Sequence, residues 1–321
     1  MPQSINNIQH LILCITAEIL CIFGVLINAF IVAVNLIDWL KRKVATHIDQ
    51  IITILGMTRI CSQVASFLSI FYGVFFYNQN SFLRLYIIES VDYFFNHSSF
   101  WLMSLLSIVY CLKISNFHHV FVLRLKIIIS QKVVHLIIAS KCFSFCYILL
   151  ICCVELIEDT EYTAHNMTTD SVTNLQRSVA VLLMSLLSNF VPFVLYCISS
   201  ALVIASVSFH IHQMKLNKTP TSNLDTYYNV IKFLTLSWMY YILDATIHVV
   251  VIYSHNFHSL DMIWVHITIE SFSNLHSMYL IYKTNKLKDS FCRIFQHGTN
   301  CLLNRQIKDL TLGNHVEIIM E

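Results

Sequence analysis

The stretch LILCITAEILCIFGVLINAFIVAVNLI, residues 11–37, decides the fold of this chain, because Glu18 is its only charged side chain. A helix needs about 20 apolar residues to cross the hydrocarbon core of a bilayer, and this stretch is longer than that. The residues before it, MPQSINNIQH, contain no Lys or Arg. A secretory signal peptide begins with such a basic region, so the stretch is interpreted as a membrane span.

The composition of the whole chain supports the same interpretation. The chain has 321 residues, of which 56% are hydrophobic and 12% are charged, whereas a soluble domain carries about a quarter charged residues. The 20 Lys and Arg nearly balance the 18 Asp and Glu, so the charge gives no reason to expect a nucleic-acid partner. We therefore predict an integral membrane protein.

Seven apolar blocks are long enough to span a bilayer. They cover residues 11–37, 48–77, 82–112, 134–157, 179–211, 230–253 and 262–282. The pattern predicts an all-α membrane protein, a seven-transmembrane helix bundle at 1–290, with a tail at 283–321. In the tail, Phe291, Ile294 and Phe295 alternate with Lys288 and Arg293, which is typical of a short helix lying on membrane lipid.

The basic residues predict the orientation of the bundle. Of the 20 Lys and Arg, 15 lie in the loops 38–47, 113–133 and 212–229 and in the tail, whereas the alternate loops hold Arg177 alone. By the positive-inside rule, the N-terminus lies outside and the C-terminus in the cytoplasm. The odd number of spans argues against a transporter built from two equal halves.

Several spans carry polar side chains in their outer halves, and these residues form a candidate ligand site. Glu89, Asp92 and Asn96 share one face of the third span because of their i, i+3, i+7 spacing. The full candidate set, called here the outer polar set, is Glu89, Asp92, Asn96, His97, Tyr241, Asp244, His248, His266 and Glu270. Ionisable residues inside a membrane are functional by default, and acids with aromatic neighbours suit a small organic ligand that carries a cationic amine.

Three other interpretations of the outer polar set stay open. The side chains could form a satisfied polar cluster that only holds the helices together. His97, His266 and Glu270 could converge on a metal ion, although their spacing is not that of a tight ligand pair. Asp92 and Glu270 could resemble the carboxylate pair of an intramembrane protease. The sequence lacks the hydrolase, metalloprotease and nucleotide-binding motifs, so we predict neither an enzyme nor a cofactor.

A second polar group lies in the cytoplasmic halves of the spans. Asn28, Arg59 and Ser277 fall at similar depths on spans one, two and seven. A buried arginine needs several acceptors, which Asn28 and the backbone of span seven could supply. We interpret this group as a packing and switching network, with packing alone as the alternative. Pro192 in span five removes a backbone hydrogen bond and is a candidate hinge or a static kink.

Motifs in all seven spans resemble the type 2 taste receptors, the bitter taste receptors. The clearest are GVLINAF at 24–30, TRI at 58–60, NHSSFWL at 96–102, LSIVYCLKISNF at 106–117, PF at 192–193, SVSFHIHQM at 206–214 and HSMYLI at 276–281. Each motif is short, but together they occur in the order and topology of the family. Many members carry a tryptophan where this chain has Asp92, and this exchange of a ring for a carboxylate favours a cationic agonist.

The resemblance implies a multi-pass receptor in the plasma membrane that detects small bitter-tasting organic compounds. It implies signalling through a gustducin-type heterotrimeric G protein to phospholipase C and calcium. The positions that the resemblance assigns to G-protein coupling are Tyr110, Lys113, Asn116, Phe117, His210, Met214 and Lys215. A vomeronasal type 1-like chemoreceptor is the main alternative, and a membrane transporter or channel is a further one.

The predicted topology makes a testable statement about glycosylation. Asn96, Asn166 and Asn217 each begin an Asn-X-Ser/Thr sequon, but only Asn166 lies in a loop predicted to be outside. Asn166→Gln is expected to abolish the mobility shift that endoglycosidase produces in the protein from mammalian cells. Asn217→Gln is the control, and a glycan lost in that variant would contradict the orientation.

Overall fold

The computed structural model describes residues 2–42, 46–76, 82–114, 120–164, 171–216 and 262–296, together with isolated residues between 232 and 246. In these residues the fold is all α-helical. Six long helices are α1 (Pro2–Arg42), α2 (His47–Phe75), α3 (Phe82–Ile114), α4 (Val120–Ala164), α5 (Ser171–Leu216) and α6 (Met262–Lys283). A shorter helix, α7, follows at 285–296.

Five of these helices contain segments that are long and apolar enough to cross a membrane. The segments are Ile8–Lys41, His47–Phe75, Leu83–Lys113, Gln131–Cys153 and Ser188–Phe209, and they overlap the first five predicted spans. The helix α6 begins with the seventh predicted span and ends one residue beyond it, at Lys283. Its polar side chains make it less apolar than the other five long helices. The structure describes few residues of the sixth predicted span, and those residues are helical.

The helices α4 and α5 are longer than the sequence predicts. They contain 45 and 46 residues, because helical structure continues from the apolar spans into the polar flanks. In α4 the backbone leaves the helical region at Lys132, where φ is −117° and ψ is 17°. This break lies at the start of the apolar segment Gln131–Cys153, where the basic flank ends.

The central helix of the bundle is α3, which packs against α2, α4 and α5, while α1 packs against α2. The buried faces of the helices are rich in serine. Buried serines include Ser62, Ser66, Ser69, Ser98, Ser104, Ser107, Ser140, Ser144, Ser199 and Ser200. Large apolar side chains such as Ile19, Ile22 and Leu26 instead point outward. Small polar residues inside and apolar residues outside are what a bundle in lipid requires.

Two glycines mark places where α1 and α2 come close to their neighbours. A Cβ atom at Gly24 would lie 2.1 Å from Gln63 Nε2 and 2.2 Å from Asn274 Oδ1. A Cβ atom at Gly56 would lie 3.0 Å from a methyl group of Val32. Glycine at these positions therefore lets α1 approach α2 and the side chains of α6.

The described chain divides into two compact units, Met1–Ser277 and Met278–Glu321. In the second unit, the backbone bends at Thr284 between α6 and α7. The Lys283 ammonium lies 5.3 Å from the Tyr282 ring centroid, in a cation–π arrangement. Phe291, Ile294 and Phe295 are exposed on α7. Contact of this apolar face with membrane lipid stays a prediction.

Some predicted positions lie outside the described residues. They are Asn116, Phe117, Asn166, Asp244 and His248. The backbones of His210, Met214 and Lys215 belong to α5, whereas their side chains lie outside the description.

Candidate functional site

The outer polar set is organised around Asp92, a buried carboxylate on α3. The hydroxyl groups of Ser62 and Ser66 on α2 both donate hydrogen bonds to it, the second over 2.8 Å. Asn96 Nδ2 donates to the same carboxylate over 3.1 Å. These three donors are neutral, and Asp92 is only 8% exposed. The described hydrogen bonds of Asp92 thus come from uncharged groups, and none of these donors brings a positive charge to the buried carboxyl group.

Other acidic and basic members of the set lie near Asp92. Ser69 Oγ donates to Glu89 over 3.4 Å, one helical turn farther along the same interface. His266 on α6 interacts electrostatically with Asp92. Glu270, one turn beyond His266, is 3% exposed. The structure therefore brings Glu89, Asp92, Asn96, His266 and Glu270 to the facing sides of α2, α3 and α6.

A small cavity lies between α2, α3 and α6, directly beside this acidic group. Its volume is about 10 Å³, about enough for one water molecule. It is lined by Arg59, Ser62, Gln63, Asn96, Ser99, Phe100, Met103, Ile269, Glu270 and Ser273. An organic ligand could occupy this position only if the three helices moved apart.

His97 faces another part of the bundle. Its Nδ1 and Nε2 atoms lie 2.9 Å from Ser144 Oγ and 2.6 Å from Ser188 Oγ, and its ring stacks on Tyr147. Since Ser144 already donates its proton to the Ser140 carbonyl over 2.9 Å, Nδ1–H donates to Ser144 and Nε2 accepts from Ser188. His97 therefore joins α3 to α4 and α5. Among the described residues, no three His, Cys, Asp or Glu side chains are placed to share a metal ion.

Tyr241 is fully buried in an aromatic cluster. Its ring lies 5.1 Å from the ring of Phe100, 5.5 Å from Phe193 and 5.1 Å from Tyr196, measured between centroids. Such contacts stabilise helix packing. Tyr241 thus packs against α3 and α5, and its neighbour Phe100 also lines the cavity beside Glu270.

The second polar group forms a hydrogen-bonded network across α1, α2 and α6. Arg59 Nη1 donates to Ser277 Oγ over 2.7 Å, and Ser277 Oγ donates to Asn28 Oδ1 over 2.9 Å. Arg59 Nη2 also lies 3.6 Å from Met103 Sδ on α3. The sequence suggested the backbone of span seven as an acceptor, but the acceptor in this bond is the Ser277 side chain. A role of the network in activation stays a prediction.

The sequence did not point to two further members of this network, Gln63 and Asn274. Asn28 Nδ2 donates to Gln63 Oε1 over 3.3 Å, and Gln63 Nε2 donates to Asn274 Oδ1 over 2.9 Å. Asn274 Nδ2 then donates to the Leu20 carbonyl over 2.8 Å. One signal was available, because Gln63 follows Arg59 by four residues and shares its helix face.

Lys141 on α4 was also missed. Its Nζ atom donates to Thr58 Oγ1 over 2.6 Å and lies 5.9 Å and 5.6 Å from the ring centroids of Phe94 and Phe95. A lysine in a membrane span needs such partners. Here they join α4 to α2 and α3.

Pro192 belongs to a polar seam between α3 and α5. Its carbonyl oxygen accepts a hydrogen bond of 2.7 Å from Ser104 Oγ. Farther along the same interface, Ser199 Oγ donates to Ser107 Oγ over 2.7 Å, and Ser200 Oγ lies 3.0 Å from Ser107 Oγ. The proline is therefore tied to α3, and its use as a hinge stays a prediction.

Two of the predicted G-protein-coupling residues are described near the end of α3. Tyr110 is half-buried and Lys113 is exposed. Lys113 lies in the last turn of its helix, where a cation interacts favourably with the helix dipole. It is accessible to a protein partner.

Comparisons with known proteins identify a consistent set of relatives. The model of the taste receptor protein (TAS2R) family matches residues 5–299. Taste receptor type 2 member 31 of Pongo pygmaeus is 28% identical over 298 residues, which cover 89% of this chain and 93% of the relative. Taste receptor type 2 member 50 of Homo sapiens is 31% identical over 220 residues, covering 68% and 72%.

The network around Arg59 predicts the effect of removing one hydroxyl group. Ser277→Ala deletes the acceptor of Arg59 and the donor to Asn28, both in a buried environment. We expect a loss of about 1–3 kcal/mol of stability, measured as a lower Tm of the purified protein in detergent. Ser271→Ala is the matched control, because the hydrogen bond described for Ser271 Oγ stays within its own helix, at the Ile267 carbonyl. Equal Tm values for the two variants would contradict the importance of the network.

Proposed function

The chain belongs to the taste receptor type 2 family and is a G-protein-coupled chemoreceptor for bitter-tasting compounds, and we propose that it signals through a gustducin-type heterotrimeric G protein. The proposal includes a seven-transmembrane bundle in the plasma membrane, with the N-terminus outside and the C-terminus in the cytoplasm. The distribution of Lys and Arg among the loops supports this orientation. The exposed Lys113 then lies at the cytoplasmic end of α3, where a G protein would bind.

The proposed agonist is a small organic molecule with a cationic amine. The observation that carries this proposal is the Asp92 carboxylate, which is buried and hydrogen-bonded to neutral donors alone among its described bonds. Glu89 and Glu270 add negative potential at the same interface. A cation that reached Asp92 would offset the unfavourable burial of this charge.

Agonist binding requires a change in the bundle, because the cavity beside Asp92 has a volume of about 10 Å³. The agonist stabilises an arrangement in which α2, α3 and α6 lie farther apart. It shifts the equilibrium to the extent that it binds this arrangement more tightly than the closed one. The network of Asn28, Arg59 and Ser277 favours the closed arrangement, and Pro192 in α5 is the proposed hinge.

A signalling assay tests the proposed function directly. Cells would express this chain with a G protein that carries a gustducin C-terminal segment, and their cytosolic calcium would be recorded. A panel of amines, quaternary ammonium compounds and neutral bitter-tasting compounds supplies the ligands. We expect calcium responses that disappear when the G protein is omitted. Calcium responses that persist without the G protein would contradict the proposal. It would also be contradicted if the chain were verified at the cell surface and responded to no compound of the panel.

The role of Asp92 can be tested with one isosteric change. Asp92→Asn keeps the size of the side chain but removes its charge, so a cationic agonist loses a charged partner. We expect the half-maximal effective concentration of the cationic agonist to rise about ten- to a hundredfold, while that of a neutral agonist changes little. Glu89→Gln measures how much the neighbouring carboxylate adds to this effect. Equal losses for neutral and cationic agonists in Asp92→Asn would refute the charge pairing.

A further inference from the structure

Five side chains in the bundle form one chain of hydrogen bonds with a single direction. Arg59 donates to Ser277, and Ser277 donates to Asn28. The bonds continue in the same sense from Asn28 to Gln63, from Gln63 to Asn274 and from Asn274 to the backbone of α1. The chain crosses between α1, α2 and α6 at each step.

Both ends of this chain impose the same direction. Arg59 carries a guanidinium group, which can only donate, and the Leu20 carbonyl can only accept. Each carboxamide between them must therefore turn its oxygen toward Arg59 and its NH2 group toward Leu20. A reversed Gln63 amide would place NH2 against NH2 at Asn28 and oxygen against oxygen at Asn274, so two bonds would be lost together.

Gly24 provides the space for the bond between Gln63 and Asn274 in this chain. A Cβ atom there would lie 2.1 Å from Gln63 Nε2 and 2.2 Å from Asn274 Oδ1, the two atoms that form the bond between α2 and α6. Its carbonyl oxygen also accepts a bond of 2.9 Å from Asn28 Nδ2. The glycine thus allows the Gln63–Asn274 bond to pass directly over α1 and helps to orient Asn28.

We propose that Gln63 is a positioning residue that couples the part of α6 around Asn274 to the bonds between Arg59, Ser277 and Asn28. Asn274 lies one turn from Glu270, beside the acidic group at Asp92. When an agonist moves this part of α6, the Gln63–Asn274 bond breaks. Gln63 then no longer orients Asn28, and the Arg59 end of the chain is weakened. The inference rests on the proposed receptor function.

The direction of the hydrogen bonds makes this coupling cooperative. Bonds in such a chain polarise one another, and each carboxamide needs its neighbour to keep its orientation. A chain that is intact or broken as a unit is a two-state element, which a ligand at one end can bias. Gln63 is the fourth of its five side chains and the link between its two ends, since it bonds to Asn28 on α1 and to Asn274 on α6.

A double-mutant cycle between Gly24 and Gln63 tests the proposal without a known agonist. Gly24→Ala pushes the two carboxamides apart, and Gln63→Met removes both hydrogen bonds while keeping a side chain of similar length. The measured quantity is basal nucleotide exchange on added G protein, per receptor at the cell surface. The Tm of each purified variant is measured in parallel.

We expect each single variant to raise basal exchange about three- to tenfold. This range corresponds to the loss of one or two interhelical hydrogen bonds in a membrane bundle. In the double variant, we expect a rise no greater than that of the larger single effect, because both substitutions break the same bond. If Gln63→Met does not reach the cell surface, Asn274→Leu takes its place in the same cycle.

Two glycine variants separate coupling from packing. Gly56→Ala places its Cβ 3.0 Å from a Val32 methyl group and 3.5 Å from the Asn28 backbone carbonyl, so it presses on the same pair of helices but on none of the atoms in the hydrogen-bonded chain, and Gly73→Ala extends into open space. We expect Gly56→Ala to lower Tm without raising basal exchange, and Gly73→Ala to change neither.

Independent, multiplicative effects of Gly24→Ala and Gln63→Met would overturn the proposal, as would a fall in Tm with unchanged basal exchange. A wild-type chain that never stimulates nucleotide exchange, with any member of the ligand panel, would instead contradict the receptor function. The two failures are therefore distinguishable.

Discussion

The burial of Arg59 inside the bundle is the constraint on which the arrangement of α1, α2 and α6 depends. Arg59 is 3% exposed, and its guanidinium group can only donate hydrogen bonds. A charge in a membrane span that lacked acceptors would cost several kcal/mol. Ser277 and Asn28 occupy the required positions, and each needs its own partner in turn. The hydrogen bonds that one buried cation requires therefore fix side-chain positions on three helices.

The same constraint explains why the bundle is polar inside. Lipid offers no hydrophobic driving force between helices, so close packing and hydrogen bonds hold them together. Gly24 and Gly56 allow the required approach of α1 and α2. The serines along α3 and α5 supply short bonds such as Ser199–Ser107. The hydrogen bonds made by His97 belong to this packing role, since they tie α3 to α4 and α5.

Much of this architecture can be predicted from the sequence, because an apolar block and an unusual polar residue inside it are both local features. Residues 11–37 predict a span, and Arg59 predicts a network. The partners of Gln63 could not be predicted, because helical periodicity defines a face but not how neighbouring helices rotate toward it. His97 shows the same limit. Its neighbours in sequence, Asn96 and Asp92, face α2, while His97 faces α4 and α5.

Successive turns of α2 carry the two polar systems of the bundle. Arg59 and Gln63 bond toward α1 and α6, whereas Ser62 and Ser66 hold Asp92 on α3. These four positions follow the i, i+3, i+4, i+7 pattern of one helix face, so they move as a rigid group. In the proposed mechanism, a ligand that draws Asp92 away from the two serines removes contacts that hold this face against α3. The resulting displacement of α2 acts on the hydrogen bonds of Arg59 and Gln63, because the same helix turns carry them.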